Sequence, residues 1–312
     1  MTAPDTGSRF RPTLVADTNP DRPKPLDWAE YRDQTLSQWY ALLSTDPEES
    51  EVQEFLERHP AMIPGGSGDI GPGGHHGSDM GVVFTRPNLN GSGSNYAPDF
   101  LWVTRSSGLI TPILIEIERP SKRWFKKSDG RPTSSFTAAH DQLNEWRSWF
   151  KQGNNASAFR ERFMFLGDRY TNRPLEPQFV LIYGRAGEFE HGGGHSDPDG
   201  LRRKRDSQRG ADETFMSFDS LRPRFDHGDA ITAQINSHGV TPYAFSPVYG
   251  TGPMVGRGAV IMGAPDDALA RSVMMTDERK KYLAGRWVFW GEQERAKRED
   301  PEGIYPAQLL RE

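Results

Sequence analysis

Two short apolar runs in the first half of the chain predict a pair of adjacent β-strands. Residues 100–103 and 113–117 are rich in β-branched and aromatic side chains, and a polar turn that ends at Gly108 lies between them. Asp99 directly precedes the first run, whereas Glu116 and Glu118 lie at the end of the second. We therefore expect a hairpin-like strand pair that carries carboxylates at one end.

The two glutamates are predicted to project from one face of their strand. Side chains alternate across a strand, so Glu116 and Glu118 share a face with Leu114, while the intervening isoleucines point to the other side. Two like charges about 5 Å apart repel by roughly 3 kcal/mol at an effective dielectric constant of about 20. Because a folded chain rarely tolerates such a pair without a cation, the pattern predicts a metal ion or an arginine beside it.

Apolar residues at three- and four-residue steps predict helices around these strands. One helix begins near Leu26, and a second follows Asp46, which we expect to form a capping box with Glu49. A third helix follows the strand pair and places Gln142 four residues before Trp146, at the edge of its apolar stripe. A partly buried glutamine needs partners for both ends of its amide, so we expect backbone hydrogen bonds or an active-site neighbour.

Two segments concentrate positive charge. The first surrounds Trp124 and Phe125, and it predicts either phosphate contact with stacking on a base or a solvated loop with both aromatics folded inward. The second, residues 201–209, predicts either a track for a nucleic-acid backbone or a helix whose arginines pair with neighbouring acids. The candidate binding residues of the two segments are Lys122, Arg123, Lys126 and Lys127, and Arg202, Arg203 and Arg205.

The composition excludes several kinds of chemistry. The chain has 312 residues, a net charge of −5 and no cysteine, so disulfides, thiolate nucleophiles and cysteine-based zinc sites are excluded. No apolar run reaches membrane-spanning length, and the N-terminus lacks a signal-peptide pattern. We therefore expect a cytoplasmic protein that does not bind membranes.

The remaining segments predict less chemistry. Residues 1–26 have the composition of a flexible arm, and the glycine-rich residues 65–81 that of a long mobile loop, in which His75 and His76 form no preorganised metal site. Residues 178–183 and 214–218 are predicted to be strands. We expect residues 222–312 to form an irregular extension with helices near its end, where the aromatic residues 286–290 are either buried or a subunit contact.

Three elements together resemble the PD-(D/E)xK nuclease superfamily. They are Pro98-Asp99, the strand end Glu116-Ile117-Glu118, and Gln142 on the following helix. With the phrases EFLERHPAMI, IEIERPSKRWF and AAHDQLNEW, residues 53–221 most resemble the nuclease domain of the Shedu anti-phage family. The resemblance implies an α/β fold with a restriction-endonuclease-like mixed β-sheet flanked by α-helices, in a domain that we place at residues 27–221.

The resemblance also implies chemistry. A deoxyribonuclease of this kind would use Mg²⁺ or Mn²⁺, act on DNA that lies against the two basic segments, and form a homo-oligomer in phage defence. Its metal ligands would be Asp99, Glu116 and Glu118, and Gln142 would complete the catalytic set.

Glu118 departs from the superfamily pattern, which has a lysine at this position. That lysine helps to position or deprotonate water and stabilises the negative charge of the transition state. A glutamate at this position cannot take over that role. Either a residue such as Lys122, Arg123, Lys126 or Gln142 enters the site, or Glu118 adds a third carboxylate that strengthens metal binding.

Three functional hypotheses therefore stand beside one another. The first is an active metal-dependent nuclease, and the second is a nuclease-like module that binds nucleic acid or senses a partner without cutting. The third is a structural module in which the glutamates pair with arginines such as Arg119 or Arg123.

Overall fold

Two helices open the structure, a computed structural model that describes residues 21–71, 77–91, 96–163 and 172–301. They are α1, Trp28–Ser44, and α2, Glu49–Arg58. Asp27 caps α1, because its carboxylate accepts hydrogen bonds from the amides of Ala29 and Glu30 at 2.8 and 3.3 Å. The helix predicted to begin near Leu26 is confirmed.

The predicted N-cap of α2 is wrong by two residues. Glu48 rather than Asp46 precedes the helix, and the Glu51 carboxylate accepts a hydrogen bond of 2.8 Å from the Glu48 amide. Asp46 instead has a φ of 53° and pairs with Arg119. Glu49 is consequently the first residue of the helix rather than part of its cap.

One seven-stranded mixed sheet forms the centre of the fold. Its strands are β1 Ser78–Thr85, β2 Phe100–Arg105, β3 Ile110–Ile117, β4 Gln178–Ile182, β5 Glu213–Met216, β6 Ile231–Asn236 and β7 Gly239–Phe245. They lie in the order β5-β4-β3-β2-β1-β6-β7. The β2–β3 pair is antiparallel, as predicted, whereas β4 and β6 pair in parallel with β3 and β1.

Helices cover both faces of the sheet, which confirms the predicted α/β architecture. The remaining helices are α3 Ser134–Phe150, α4 Asn155–Phe163, α5 Pro198–Gln208, α6 Pro253–Ile261, α7 Asp266–Arg271 and α8 Asp277–Glu299. On one face Leu114 belongs to the same buried cluster as Trp146 of α3; on the other, Ile115 clusters with Trp39 of α1 and Leu56 of α2. Because β3 alternates in this way, Glu116 projects toward α3.

The C-terminal part of the chain is more regular than expected. Strands β6 and β7 form an antiparallel hairpin, and β6 pairs in parallel with β1, so the predicted irregular extension is wrong. The sheet therefore continues after residue 221, where we placed the end of the nuclease domain, because β6 and β7 extend it beyond β1. Trp287 and Trp290 of α8 are buried, which confirms the inward orientation for that part of the aromatic patch, although Val288 is exposed.

Strand β1 begins inside the segment that we expected to be a mobile loop. Ser78 starts this strand, while residues 72–76, which include His75 and His76, lie outside the described residues, as do residues 1–20 of the predicted arm. Residues 21–26 contain no helix or strand, but Arg279 of α8 donates a hydrogen bond of 2.7 Å to the Pro23 carbonyl. In the described parts of the chain, none of the helices has the length and apolarity needed to cross a membrane.

Candidate active site

The β2–β3 hairpin brings two of the predicted carboxylates together. Phe100 pairs with Ile115 in the antiparallel register, and one further step places Asp99 opposite Glu116. The Ile117 amide donates a hydrogen bond of 2.8 Å to Asp99 Oδ2, which fixes that carboxylate across the strand end. Opposed side chains on neighbouring strands have Cβ atoms about 5 Å apart, so the two acids share one small volume.

Burial leaves these acids poorly compensated. Glu116 is 9 % exposed, and burial raises its pKa, as do the charges of Asp99 and Glu118. Burial is also the largest cause of the raised pKa of Asp99, which the backbone hydrogen bond opposes. The charge of Arg86 opposes that shift too, but Arg86 forms its own ion pair with Glu57 at 3.3 Å. Among the described residues, neither acid forms an ion pair with a cationic side chain.

Glu118 lies beside this pair and has a cation of its own. Its amide donates to the Ile182 carbonyl at 3.2 Å, which continues the β3–β4 pairing by one residue. Its carboxylate forms an ion pair with Lys122, four residues further along the chain. Lys122 was one of the residues expected to replace the superfamily lysine, and the structure places it beside the candidate site.

A fourth carboxylate joins the site from α2. Glu49 lies within hydrogen-bonding distance of Glu118, and its pKa is raised by burial and by the charge of Glu118. Its own charge raises the pKa of both Asp99 and Glu116. The sequence around Glu49 suggests only a helix start, because nothing local indicates that this helix start meets the end of β3.

Two glutamines contact the acidic pair. Gln142 of α3 hydrogen-bonds to the Glu116 carboxylate, and this contact lowers the pKa that the other neighbours raise. Gln53 of α2 is buried, and its Nε2 donates to the Asp99 carbonyl at 3.4 Å and to Thr85 Oγ1 at 3.1 Å. Gln142 therefore orients one carboxylate directly, whereas Gln53 supports the backbone of the other. The sequence pattern singled out Gln142 but not Gln53.

The basic loop after β3 turns its aromatic residues inward. Trp124 and Phe125 are fully buried, so the predicted stacking on a base is wrong and the inward-folded alternative is confirmed. Arg123 also points inward, since its Nη2 donates to the Gly193 carbonyl at 2.7 Å. Lys126 and Lys127 are exposed. In the described part of the chain, neither Arg123 nor Lys126 forms an ion pair with Asp99, Glu116 or Glu118.

Helix α5 carries the second basic segment, and two of its three predicted arginines are ion-paired. Arg202 pairs with Asp199 and Arg205 with Asp206, both at 2.8 Å, as the alternative interpretation predicts. Arg203 is exposed. The helix is therefore a partly neutralised surface rather than an unbroken track of positive charge.

A comparison with known families decides what kind of protein this is. The family model described as "Shedu protein SduA, C-terminal" matches residues 46–221, more than half of the chain. The chain belongs to the Shedu family. The matched region runs from just before α2 to just after β5, so it contains all the predicted site residues, while β6, β7 and α6–α8 follow it. Neither a curated protein nor a solved structure showed significant similarity to the chain.

The geometry of this Shedu site rules out the arginine pairing that the third hypothesis requires. Arg119 pairs with Asp46 and Glu48, at 3.3 and 2.8 Å. Arg123 lies 3.8 Å from Glu188. The two strand glutamates are therefore not neutralised by either of these arginines.

The donor set of the Shedu site fits a magnesium-like ion better than a metal held in a complete protein cage. In the part of the chain that the structure describes, no group of three or more His, Asp or Glu side chains is arranged to hold a metal ion. Mg²⁺ is usually bound by only one or two carboxylates, with water and substrate phosphates as its other ligands. Asp99 and Glu116 supply that number of hard oxygen donors, and Glu118 would add another if Lys122 released it.

Proposed function

We propose that this Shedu family member is a divalent-metal-dependent deoxyribonuclease that hydrolyses DNA phosphodiester bonds in anti-phage defence. The proposal is carried by the pairing of half-buried Asp99 with buried Glu116, two acids with raised pKa values and no ion-paired cation among the described residues. Such a pair destabilises the fold unless a ligand neutralises it, and perturbed acids of this kind cluster at functional sites. Family membership supports the defence role, and we extend the proposal to a homo-oligomeric assembly.

Asp99 and Glu116 would hold a Mg²⁺ or Mn²⁺ ion, with Glu118 as a third donor. When bound, such an ion neutralises the scissile phosphate and makes a coordinated water more acidic. The protein contributes orientation: the Ile117 amide fixes Asp99, and the Gln142 amide fixes Glu116. Both carboxylates are thus held in place before any ligand arrives.

Lys122 is proposed to supply the positive charge that a lysine at position 118 would provide. Its ammonium already lies against Glu118, at the edge of the acidic pair. A phosphate that enters the site would compete with Glu118 for this ammonium, which would free the Glu118 carboxylate for the metal and place the lysine on the phosphate. Preorganised charge of this kind stabilises the charge that develops in a transition state.

A cleavage assay tests the proposal. Purified protein is incubated with supercoiled plasmid DNA in Mg²⁺, Mn²⁺ or EDTA. We expect cleavage only with a divalent ion, and a loss of at least about 100-fold in rate for Asp99→Asn and Glu116→Gln, the scale of a lost catalytic group. Glu54→Gln is the matched control, because Glu54 is an exposed acid of α2 that pairs with Arg58. If both site variants cut as fast as wild type, the site assignment is wrong.

Thermal unfolding gives a readout of metal binding that does not depend on turnover. An ion that binds only the folded state raises its stability, so Mn²⁺ should raise the melting temperature of the wild type. The rise should be absent in Glu116→Gln and unchanged in Glu54→Gln. An equal rise in all three proteins would show that Mn²⁺ binds elsewhere.

One observation favours a second function, a nuclease-like module that binds nucleic acid or senses a partner without cutting. The ion pair between Glu118 and Lys122 neutralises the residue that differs from the superfamily pattern, as it would in a site that no longer needs a metal. This alternative predicts salt-sensitive DNA binding and no cleavage with any divalent ion. The plasmid assay therefore distinguishes the two functions directly.

A further inference from the structure

A cavity of about 440 Å³ lies between the basic loop and the start of α5, apart from the acidic residues of the candidate active site. Lys127, Ser128 and Gly130 line it from the loop, and His195, Ser196 and Lys204 line it from the other side. The two basic segments that are separate in the sequence therefore meet here. Lys204 Nζ joins them directly by donating a hydrogen bond of 2.6 Å to the Gly130 carbonyl.

The charges that line this cavity favour an anion. Its two acids are partly compensated, since Asp197 caps α5 by accepting the Gly200 amide at 2.7 Å and Asp129 lies 3.7 Å from Arg131. In the residues that the structure describes, neither Lys127 nor Lys204 forms an ion pair with a carboxylate, and the Lys204 ammonium hydrogen-bonds only to a neutral group, the Gly130 carbonyl. Two ammonium groups and two serine hydroxyls form a donor set that suits phosphate oxygens.

A buried carboxylate holds the loop side of the cavity in place. Glu188 is 5 % exposed and accepts hydrogen bonds of 2.9 Å from the amides of both Trp124 and Phe125. Gly184 permits this packing, because a Cβ on it would lie 2.8 Å from the Lys122 carbonyl. The lysine-bearing loop therefore has a backbone fixed by the core.

Neighbouring side chains also hold the histidine of the cavity in place. His195 Nε2 lies 2.9 Å from Nη2 of Arg123 and 3.4 Å from Oε1 of Glu188, so the ring is held between these two side chains. The His195 side chain is 5 % exposed.

We propose that this cavity binds a backbone phosphate of the DNA strand, at a distance from the phosphate that is cleaved. The inference rests on the proposed function, because it assigns a second contact to the same substrate. It is a phosphate site rather than a nucleobase site, since the two aromatic residues of the loop, Trp124 and Phe125, are buried and offer no surface for stacking. The loop links the two contacts, with Lys122 at the acidic site and Lys127 at the cavity.

DNA binding measured without divalent metal tests this proposal separately from cleavage. A fluorescein-labelled duplex is titrated with protein in EDTA, and anisotropy gives the Kd at several salt concentrations. We expect Lys127→Glu to raise the Kd at least about tenfold and to reduce the salt slope by about 1, the change expected for one lost phosphate contact.

The matched control is Lys126→Glu, which makes the same charge reversal one residue away, at an exposed position that does not line the cavity. It should raise the Kd less than about threefold through general electrostatics. Lys204→Met is a second variant, which keeps an unbranched side chain and removes the ammonium that lies 5.5 Å from the centre of the Phe125 ring. It should weaken binding as Lys127→Glu does, and a melting temperature close to that of the wild type would show that the protein is still folded.

Equal losses for Lys126→Glu and Lys127→Glu would overturn the inference, since binding would then depend on diffuse charge rather than on the cavity. An unchanged Kd for Lys127→Glu would also overturn it. Failure of the proposed function has a different signature: cavity-dependent binding would persist, and wild-type protein would not cut DNA in Mg²⁺ or Mn²⁺.

Discussion

Two buried glutamates of this protein receive different partners from the same helix. Glu213, at the start of β5, faces Arg147 and His140 of α3, and its side chain lies 2.9 Å from His140 Nε2. Burial raises the pKa of Glu213, but hydrogen bonds from these two residues outweigh burial and lower the pKa to about 2. Glu116 receives only the neutral amide of Gln142 from α3, and its pKa is raised.

The comparison shows that this fold can supply a buried glutamate with a cationic partner, as it does for Glu213, but that Glu116 receives none. On α3, His140 and Arg147 both contact the Glu213 carboxylate on β5, whereas Gln142, which lies between them in the sequence and contacts Glu116 on β3, is uncharged. A buried carboxylate without a cationic partner costs folding free energy unless a ligand binds it. We therefore interpret Glu213 as a structural acid that fastens α3 to the sheet, and Glu116 as a ligand-binding acid that α3 only orients.

The largest effect is expected from removal of the cation at the structural acid. Arg147→Met should destabilise the protein by about 3–5 kcal/mol, because it leaves Glu213 buried without its main partner. Urea unfolding monitored by tryptophan fluorescence measures this loss. Arg58→Met is the control: Arg58 pairs with exposed Glu54, and exposed pairs contribute about 0–1 kcal/mol. A small loss for Arg147→Met would show that the two glutamates do not differ as described.

Glu116→Gln should stabilise the protein, whereas Arg147→Met destabilises it. The amide keeps the shape and the contact with Gln142 and is neutral at every pH, so metal-free protein at neutral pH should gain roughly 1–3 kcal/mol, because folding no longer requires this acid to take up a proton. The same unfolding experiment in EDTA measures this gain. Glu213→Gln should lose stability under identical conditions. A loss of stability in both variants would contradict the assignment of Glu116 as a ligand-binding acid.

The two glutamates should also respond oppositely to pH. Because the folded pKa of Glu116 lies above its unfolded value of about 4.3, folded protein retains a proton that unfolded protein releases, and stability falls as pH rises above that value, by up to about 1.4 kcal/mol per pH unit. For Glu213 the folded pKa is lowered, so its contribution is present above about pH 4.3 and is lost as pH falls toward the folded value.

Paired unfolding curves between pH 5 and pH 7.5, in EDTA, isolate this effect. The stability of the wild type relative to Glu116→Gln should decline across that range by about 1 kcal/mol or more, and saturating Mn²⁺ should abolish the decline. Titrating groups that do not interact with Glu116 cancel in the difference between the two proteins. A flat difference would show that Glu116 is not held protonated in the metal-free fold.

The smallest effect on stability is expected at Lys122. Its side chain is 35 % exposed and that of Glu118 is 14 % exposed, so the pair lies near the surface and Lys122→Met should lower stability by only about 1 kcal/mol. Cleavage should fall much more, with kcat reduced more than KM, and Lys122→Arg should restore part of the rate. Lys126→Met, which removes a neighbouring charge away from the acids, serves as the comparison. Equal rates for the two methionine variants would remove Lys122 from the proposed mechanism.

The sequence predicted the parts of the site that are encoded locally. Alternation in β3 places Glu116 and Leu114 on one face, and the apolar stripe of α3 places Gln142 at its edge, since both patterns follow from backbone geometry alone. The contributions of Glu49 and of Gln53 were not predictable, because they depend on how α2 packs against the ends of β2 and β3. The direction of Trp124 was undecided for the same reason: Glu188, far away in the chain, holds that loop inward.

For the fold, too, the sequence predicted locally encoded elements but not those that depend on the whole sheet. The β6–β7 hairpin was missed because Pro242 lies inside β7, and a proline normally argues against a strand. It is tolerated here because β7 is an edge strand of the sheet, with only β6 as a neighbour. Whether a strand is at the edge is a property of the whole sheet and cannot be inferred from the seven residues of β7.

The parallel contact between β1 and β6 determines how the protein can be dissected. Val82, Val83 and Phe84 of β1 are buried, and their strand is covered on one side by β6, which lies beyond the family-matched region. A fragment that ends at residue 221 would contain every proposed catalytic residue yet expose this apolar strand edge, a surface that promotes aggregation. We therefore expect residues 27–221 to be insoluble when expressed alone, and recovery of a soluble, monomeric fragment would contradict this expectation.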